Sequence, residues 1–326
     1  MKNRTYIFTF ITLSFSLYFS IQLIIIENLS YIFNEELPMW EEVKVNSKKN
    51  FNTNIDVIIG DSRAKAGLIP NRLGINWYNF SIGGATPIEG YYTLEHLINS
   101  GNRIDNIILS YGPLHLINQY TFWHRNAKFH FLTPYQHIKI DSLASNLKDP
   151  IFGTDKNWYD YWLKPGVYFG DIKDALVKLN ENHKKNIKVS GILHLSKGHY
   201  FFGKNESSSG YNQEANMDGI FKASPVLNDY LDKTINLAKS ENIDIFWVTA
   251  PYNQSSMNKI EDEFNTGFDN YIRGKTDLIP LTLSHSLPDH CFGDPSHIYR
   301  CSDSFSESIS KKINSIISKK NGIKSM

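Results

Sequence analysis

From Thr5 to Ile26 the chain reads TYIFTFITLSFSLYFSIQLIII, with no charged residue, and Glu27 ends the stretch. At 1.5 Å per residue a helix over it is roughly 30 Å long, the thickness of a bilayer's hydrocarbon core. It is apolar on all faces, which argues against the half-buried helix of a soluble core. From Ile55 the pattern changes to short apolar runs alternating with helical spacing. The β-branched run Ile55–Ile59 predicts a buried strand, and Trp77–Ile82, Ile104–Tyr111, Ile243–Ala250 and Leu278–Leu283 predict further ones. Helical spacing covers Ile88–Ser100, Val226–Ser240 and Ser304–Ile317. Strands alternating with helices imply parallel pairing through right-handed crossovers, hence an α/β fold with its site at the carboxyl ends of the strands.

Between about residues 120 and 225 the alternation is lost. This stretch holds the aromatic segment Asn157–Asp171 and the polar run Gly203–Asn216, and reads as an insertion at the sheet's carboxyl edge, part helix and part loop. The organisation expected is an anchor over 1–27, a juxtamembrane helix or linker over 28–54, and one α/β domain over 55–326 that carries the insertion.

Lys2 and Arg4 precede the uncharged span, whereas Glu27, Glu35 and Glu36 follow it. Basic residues stay on the cytoplasmic side, so the domain is expected outside the cytoplasm on a single-pass, uncleaved anchor in the cytoplasmic membrane. A cleaved signal peptide is the competing reading. The span exceeds a usual signal core, and no small-x-small cleavage site follows.

Composition changes this picture little. The 326 residues carry a net charge of +1, so nothing points to nucleic acid as a partner. Aromatics make up 13%, which fits a large core and also fits a cleft that stacks on sugar rings. The two cysteines, Cys291 and Cys301, are too few for a zinc site alone. Outside the cytoplasm they sit where a disulfide persists.

Three short blocks carry candidate chemistry. Gly60-Asp61-Ser62 follows the first strand directly, so a helix start there presents the Ser62 hydroxyl beside free backbone N–H donors. A plain helix cap by Asp61 and Ser62 has the same appearance. Asn79-Phe80-Ser81-Ile82-Gly83-Gly84-Ala85-Thr86 follows the second strand, and its glycines allow positive φ and close backbone approach. Asp294-Pro295-Ser296-His297 precedes the last helix, where a carboxylate-held histidine is the base a serine nucleophile needs.

In order and context these blocks resemble the SGNH, or GDSL-like, hydrolase superfamily. Gly60, Asp61 and Ser62 match its first block. Asn79, Ile82, Gly84 and Thr86 match the second, with Gly83 in place of the family serine, and Asp294 and His297 match the last. The resemblance covers about residues 55–112 and 243–317. It implies a three-layer α/β/α sandwich on a flavodoxin-like parallel sheet. It also implies Ser62 as nucleophile, His297 as base and Asp294 as its orienting acid. Asp61, Asn79 and Gly84 then belong to the oxyanion and substrate region, and no metal or cofactor is called for. One departure stands out. The third block, after the third strand, reads Gly112-Pro113-Leu114-His115, and Pro113 occupies the place of the family's oxyanion asparagine. Proline has no N–H and no side-chain donor; His115, Asn118 or an insertion residue is left to substitute.

The activity implied is that of an esterase or O-acyltransferase acting through an acyl-Ser62 intermediate. Its expected partners are a cell-surface glycan or another acylated small molecule, the membrane, and a membrane-bound acyltransferase. The aromatic residues Trp158, Tyr159, Tyr161, Trp162 and Tyr168 are candidates for contacting the acceptor, with packing of the insertion as their ordinary role. The alternative function is a non-catalytic glycan-binding or scaffold protein of the same fold.

Overall fold

A computed structural model describes residues 2–33, 36–118, 122–152, 157–178, 180–204, 217 and 219–324. The chain divides into two compact units, Met1–Glu41 with Thr121–Ser190, and Glu42–Tyr120 with Gly191–Met326. Five strands form the sheet: β1 (Ile55–Gly60), β2 (Trp77–Asn79), β3 (Ile104–Ser110), β4 (Asp244–Val248) and β5 (Ile279–Thr282). The helices used below are α1 (Lys2–Glu27), α2 (Ser62–Gly67), α3 (Pro87–Asn99), α4 (Pro225–Ser240), α5 (Asp262–Arg273) and α6 (Ser302–Lys324).

The second unit holds the whole sheet. All its pairings are parallel, in the order β2-β1-β3-β4-β5. The order reverses at β1, between β2 and β3, and such a switch point leaves a crevice beyond the carboxyl ends of the strands. Strand alternation gives each face its own core. Ile58, Ile108 and Phe246 are register partners in neighbouring strands and pack with Phe305, Ile309 and Ile313 of α6. On the other face Gly90 of α3 lies against Ile59 and Tyr111, and α3 pairs with α4 through Tyr92 and Tyr230, whose hydroxyls are 3.3 Å apart. Both helices start where the sequence provides caps: Thr86 and Glu89 form a capping box ahead of Pro87, and the Ser224 hydroxyl accepts the Leu227 N–H. Every strand and helix expected in this unit is present within a few residues. Helix α5 and the short parallel pair Tyr252–Asn253 with Ser286–Leu287 were not anticipated.

The first unit contains α1. Thr5–Glu27 is long and apolar enough to cross a membrane, and its outward side chains are largely exposed. The stretch expected to be a juxtamembrane helix or linker is more ordered than a linker. Short helix Leu29–Ile32 and the start of helix Leu37–Asn46 bury Leu29, Ile32, Phe33, Leu37, Met39 and Trp40. Trp40 packs on Phe129 and Phe131, and Asn182 and Asn186 donate to the carbonyls of Ile32, Ser30 and Phe33. The segment starting near residue 120 therefore folds with the N-terminus as far as residue 190, and residues 191 onward belong with the sheet. Most of the polar run Gly203–Asn216 lies outside the described residues.

Candidate active site

Ser62 is the first residue of α2 and follows β1 after a single intervening residue, Asp61. Gly60 is required there, because a Cβ at this position would collide with the Ser110 carbonyl of β3. Asp61 is fully buried and its carboxylate is heavily used. Oδ1 accepts from the N–H groups of Arg63 at 2.8 Å and Ala64 at 3.4 Å, which makes Asp61 the helix cap. Oδ2 accepts the Gly112 N–H at 2.7 Å and faces His115 Nε2 at 3.5 Å. One side chain thus ties the carboxyl end of β1 to that of β3. Beside it, the Arg63 guanidinium lies over the Tyr252 ring at 4.4 Å.

Asn79 was a candidate for the oxyanion and substrate region. Its amide is occupied in positioning instead. Nδ2 donates to the Ala64 and Leu68 carbonyls at the end of α2, and Oδ1 accepts the Ser81 N–H. A second tie runs through Lys65, which is fully buried. Its Nζ donates to the Ser81 carbonyl at 2.8 Å and faces Glu42 Oε2 at 3.7 Å. Burial pushes the Lys65 ammonium below its usual pKa and the Glu42 carboxyl above its own, while their mutual attraction opposes both shifts. These contacts hold the Ser81–Gly84 loop against α2. Within the loop Gly84 turns at φ +75°, and Gly83 faces the Ser62 side chain closely enough that a Cβ added there would reach van der Waals distance of it.

The histidine loop lies between Phe292 and Ile298, which pair as an isolated antiparallel bridge. His297 Nδ1 lies 2.9 and 2.8 Å from the two Asp294 carboxylate oxygens, and Asp294 Oδ1 also accepts the N–H groups of Ser296 and His297. Burial raises the Asp294 pKa, but the bond to His297, its charge and these two N–H donors outweigh burial, so the carboxyl ends below its ordinary value. With Nδ1 held by the carboxylate, Nε2 is the nitrogen left for chemistry. It is buried and has no hydrogen-bond partner among the described residues. The Cys291–Cys301 disulfide closes the loop at its base, with the two Cα atoms 4.9 Å apart. His290 lies near this pair, but bonded sulfurs are not the thiolates a metal requires.

Phe202 connects the serine and histidine blocks. Its ring stacks on the His297 imidazole with centroids 4.6 Å apart, and its edge and Ser62 Cβ border the space that a Cβ at Gly83 would occupy. Next to it Gly203 crosses Gly293 so closely that a Cβ on Gly203 would strike the Asp294 side chain. Ser62, Gly83, Phe202, His297 and Asp294 therefore form one contiguous neighbourhood, although no hydrogen bond joins the serine to the imidazole. Around Pro113 the chain turns into the short helix Leu114–Ile117, which brings His115 to Asp61 and ends at Asn118. A cleft of about 610 Å³ bordered by the disulfide, Leu281, Leu287 and Phe305 includes neither Ser62 nor His297.

A family model matches residues 7–313, and its description is "Protein of unknown function (DUF1574)". The chain belongs to the DUF1574 family. The match spans α1, the insertion and the sheet, so membership covers both units. No curated protein matches the chain.

Sequence reasoning missed Phe202 and Gly203 because they fall in what reads as insertion. The available signal was the run Gly198-His-Tyr-Phe-Phe-Gly203, an aromatic cluster bounded by glycines, unlike the polar residues after it. The insertion aromatics named as acceptor candidates have packing partners within their own unit. Trp158 stacks on His137 and donates to Asp141, and the buried Tyr168 hydroxyl bonds His130.

Proposed function

We propose that this DUF1574 chain is a membrane-anchored, extracytoplasmic serine esterase or O-acyltransferase of the SGNH type, built as a three-layer α/β/α sandwich and acting on acyl esters of a cell-surface glycan. The observation that carries this reading is the Asp294–His297 pair, whose Nε2 has no partner among the described residues, one stacked ring away from the Ser62 neighbourhood. Ser62 Oγ attacks the ester carbonyl and His297 Nε2 takes its proton. Asp294 holds Nδ1–H and stabilises the imidazolium. The N–H groups of Ser62 and Gly84 receive the oxyanion. His297 then returns the proton to the leaving alcohol, and water or a sugar hydroxyl takes the acyl group from Ser62. His115, held beside Asp61, is the donor that supports the oxyanion where Pro113 has none.

The anchor reading draws on Thr5–Glu27 and on Lys2 and Arg4 before it. A glycan is the acyl carrier an extracytoplasmic domain meets at the envelope, and acetyl is the simplest acyl group. Pro113 favours a second reading, a non-catalytic glycan-binding or scaffold protein that serves a membrane-bound acyltransferase. Hydrolysis of an acetyl ester by wild type and not by Ser62→Ala supports the enzyme; equal rates in both, or none in either, support the scaffold.

A further inference from the structure

The Trp158–Val177 segment grips α1 well inside the apolar span. The Tyr18 hydroxyl donates to the Leu163 carbonyl at 2.6 Å, and Gln22 Nε2 donates to the Tyr161 carbonyl at 2.7 Å. Gln22 is buried by these contacts at only 3% exposure, so the most polar side chain of the span's second half is covered by this segment. Tyr18 lies nine residues before Glu27, which ends the span. At helical rise that is ~13 Å along the helix from its end. If α1 is in a bilayer, the backbone at Leu163 is at hydrocarbon depth.

The helix that follows, Phe169–Val177, exposes three large apolar side chains in nine residues. None of its residues is buried, and its exposed residues include a large apolar group, Phe169 at 61% exposure, Leu176 at 71% and Val177 at 78%, with Lys173 and Asp174 exposed beside them. Its charged Asp171 turns inward to an ion pair with Lys128 at 3.1 Å. Lys173 lies within the outward sector, where its stem can lie along lipid while the ammonium reaches the headgroups. The same helix packs on Leu29–Ile32, the first turn beyond the span, which sets it at the level of the interface.

We propose that Trp158–Val177 is a second membrane-seated element: Leu163 enters the hydrocarbon beside α1, and helix Phe169–Val177 lies in the interface with Phe169, Leu176 and Val177 in the acyl region. The occupant of this patch is bilayer lipid. The inference rests on the reading that α1 spans a membrane, and it goes beyond a single-helix tether: the first unit is docked in one leaflet at a fixed depth.

The test uses the full chain in lipid nanodiscs with a nitroxide on single added cysteines at Leu163, Phe169 or Leu176. The native cysteines are bonded to each other and do not compete for label under non-reducing conditions. Phe15→Cys reports on α1, and Ile75→Cys, at a side chain 84% exposed, reports on water. Expected are oxygen-to-nickel-chelate accessibility ratios several-fold above that of Ile75→Cys and close to that of Phe15→Cys. Nickel access like that of Ile75→Cys at all three sites, with Phe15→Cys in lipid, overturns the inference alone. Nickel access at Phe15→Cys overturns the anchor reading itself. Exclusion of both reagents at Phe169 and Leu176 would mean a second protein surface covers the patch, which also overturns the proposal.

Discussion

Phe202 stacks on His297 at a centroid separation of 4.6 Å with the ring planes 29° apart. The imidazole is thus gripped on two sides, by the Asp294 carboxylate at Nδ1 and by an aromatic face. A ring fixed in this way keeps Nε2 near one orientation, which matters because small misplacements of a base are costly. Phe202→Ala is expected to slow modification of Ser62 by a fluorophosphonate roughly 10–100-fold. The far-ultraviolet circular dichroism should stay unchanged. Phe202→Tyr, which keeps the face, should restore most of the rate.

The crossing of Gly203 and Gly293 fixes the same loop from its other side. Gly203→Ala places a methyl against Asp294, so either the loop or the carboxylate must move. The expected outcome is a loss of Ser62 labelling comparable with that of Asp294→Ala, in a protein whose denaturant midpoint falls only modestly.

Lys65 and Glu42 offer a separate test of how α2 is held. Removing one member of a buried ion pair strands the other charge, at a cost of about 3–5 kcal/mol, whereas replacing both with apolar residues is often near neutral. Lys65→Met should therefore destabilise strongly in urea titrations, and Lys65→Met with Glu42→Leu should recover much of the loss. Additive losses in the double variant would contradict the coupling.

The strands and helices of the sheet unit were readable because buried parallel strands are continuous apolar runs and the caps Thr86 and Ser224 are local signals. The three motif blocks were equally local. What was not legible depends on contacts distant in sequence. Asn79 had the residue type of a ligand, and only its bonds to Ala64 and Leu68 reveal a clamp. Phe202 lies nearly a hundred residues before His297 and has no periodicity to announce it. The N-terminal stretch read as a juxtamembrane helix or linker, without its tertiary packing, because its partners Phe129, Asn182 and Asn186 sit in the insertion.

Acid should destabilise the fold in two windows. Burial lowers the His199 pKa from 6.5 to about 4, its Nε2 bonding the Ala66 carbonyl. Above pH 6.5 the residue is neutral folded and unfolded and contributes no slope. As pH falls from 6.5 towards 4 the unfolded chain binds a proton that the folded one refuses, so stability drops, by up to about 3 kcal/mol. His199→Gln should make that part of the profile less steep, the remaining slope coming in part from His137, which burial also lowers to about 4. Asp294, with its pKa lowered, contributes stability above the ordinary carboxylate value that is lost as pH falls below it, so Asp294→Asn should alter only the lower window.

The loop closed by Cys291 and Cys301 is short, and in the chain-entropy model the bond contributes about 2–3 kcal/mol. Because the loop carries both Asp294 and His297, reductant is expected to lower activity at concentrations that leave the fold intact. Simultaneous loss of fold and activity would mean that the bond serves stability alone.

His115→Ala should reduce the rate about 10²–10³-fold, the usual cost of one oxyanion donor, with little change in KM. An unchanged rate would remove His115 from the oxyanion site.

The most direct test of the central claim is intact-mass and peptide mapping after exposure to a fluorophosphonate. One adduct per chain is expected, located on Ser62, absent in Ser62→Ala and strongly slowed in His297→Ala. An adduct that persists in Ser62→Ala, or a wild-type chain that takes none, would contradict it.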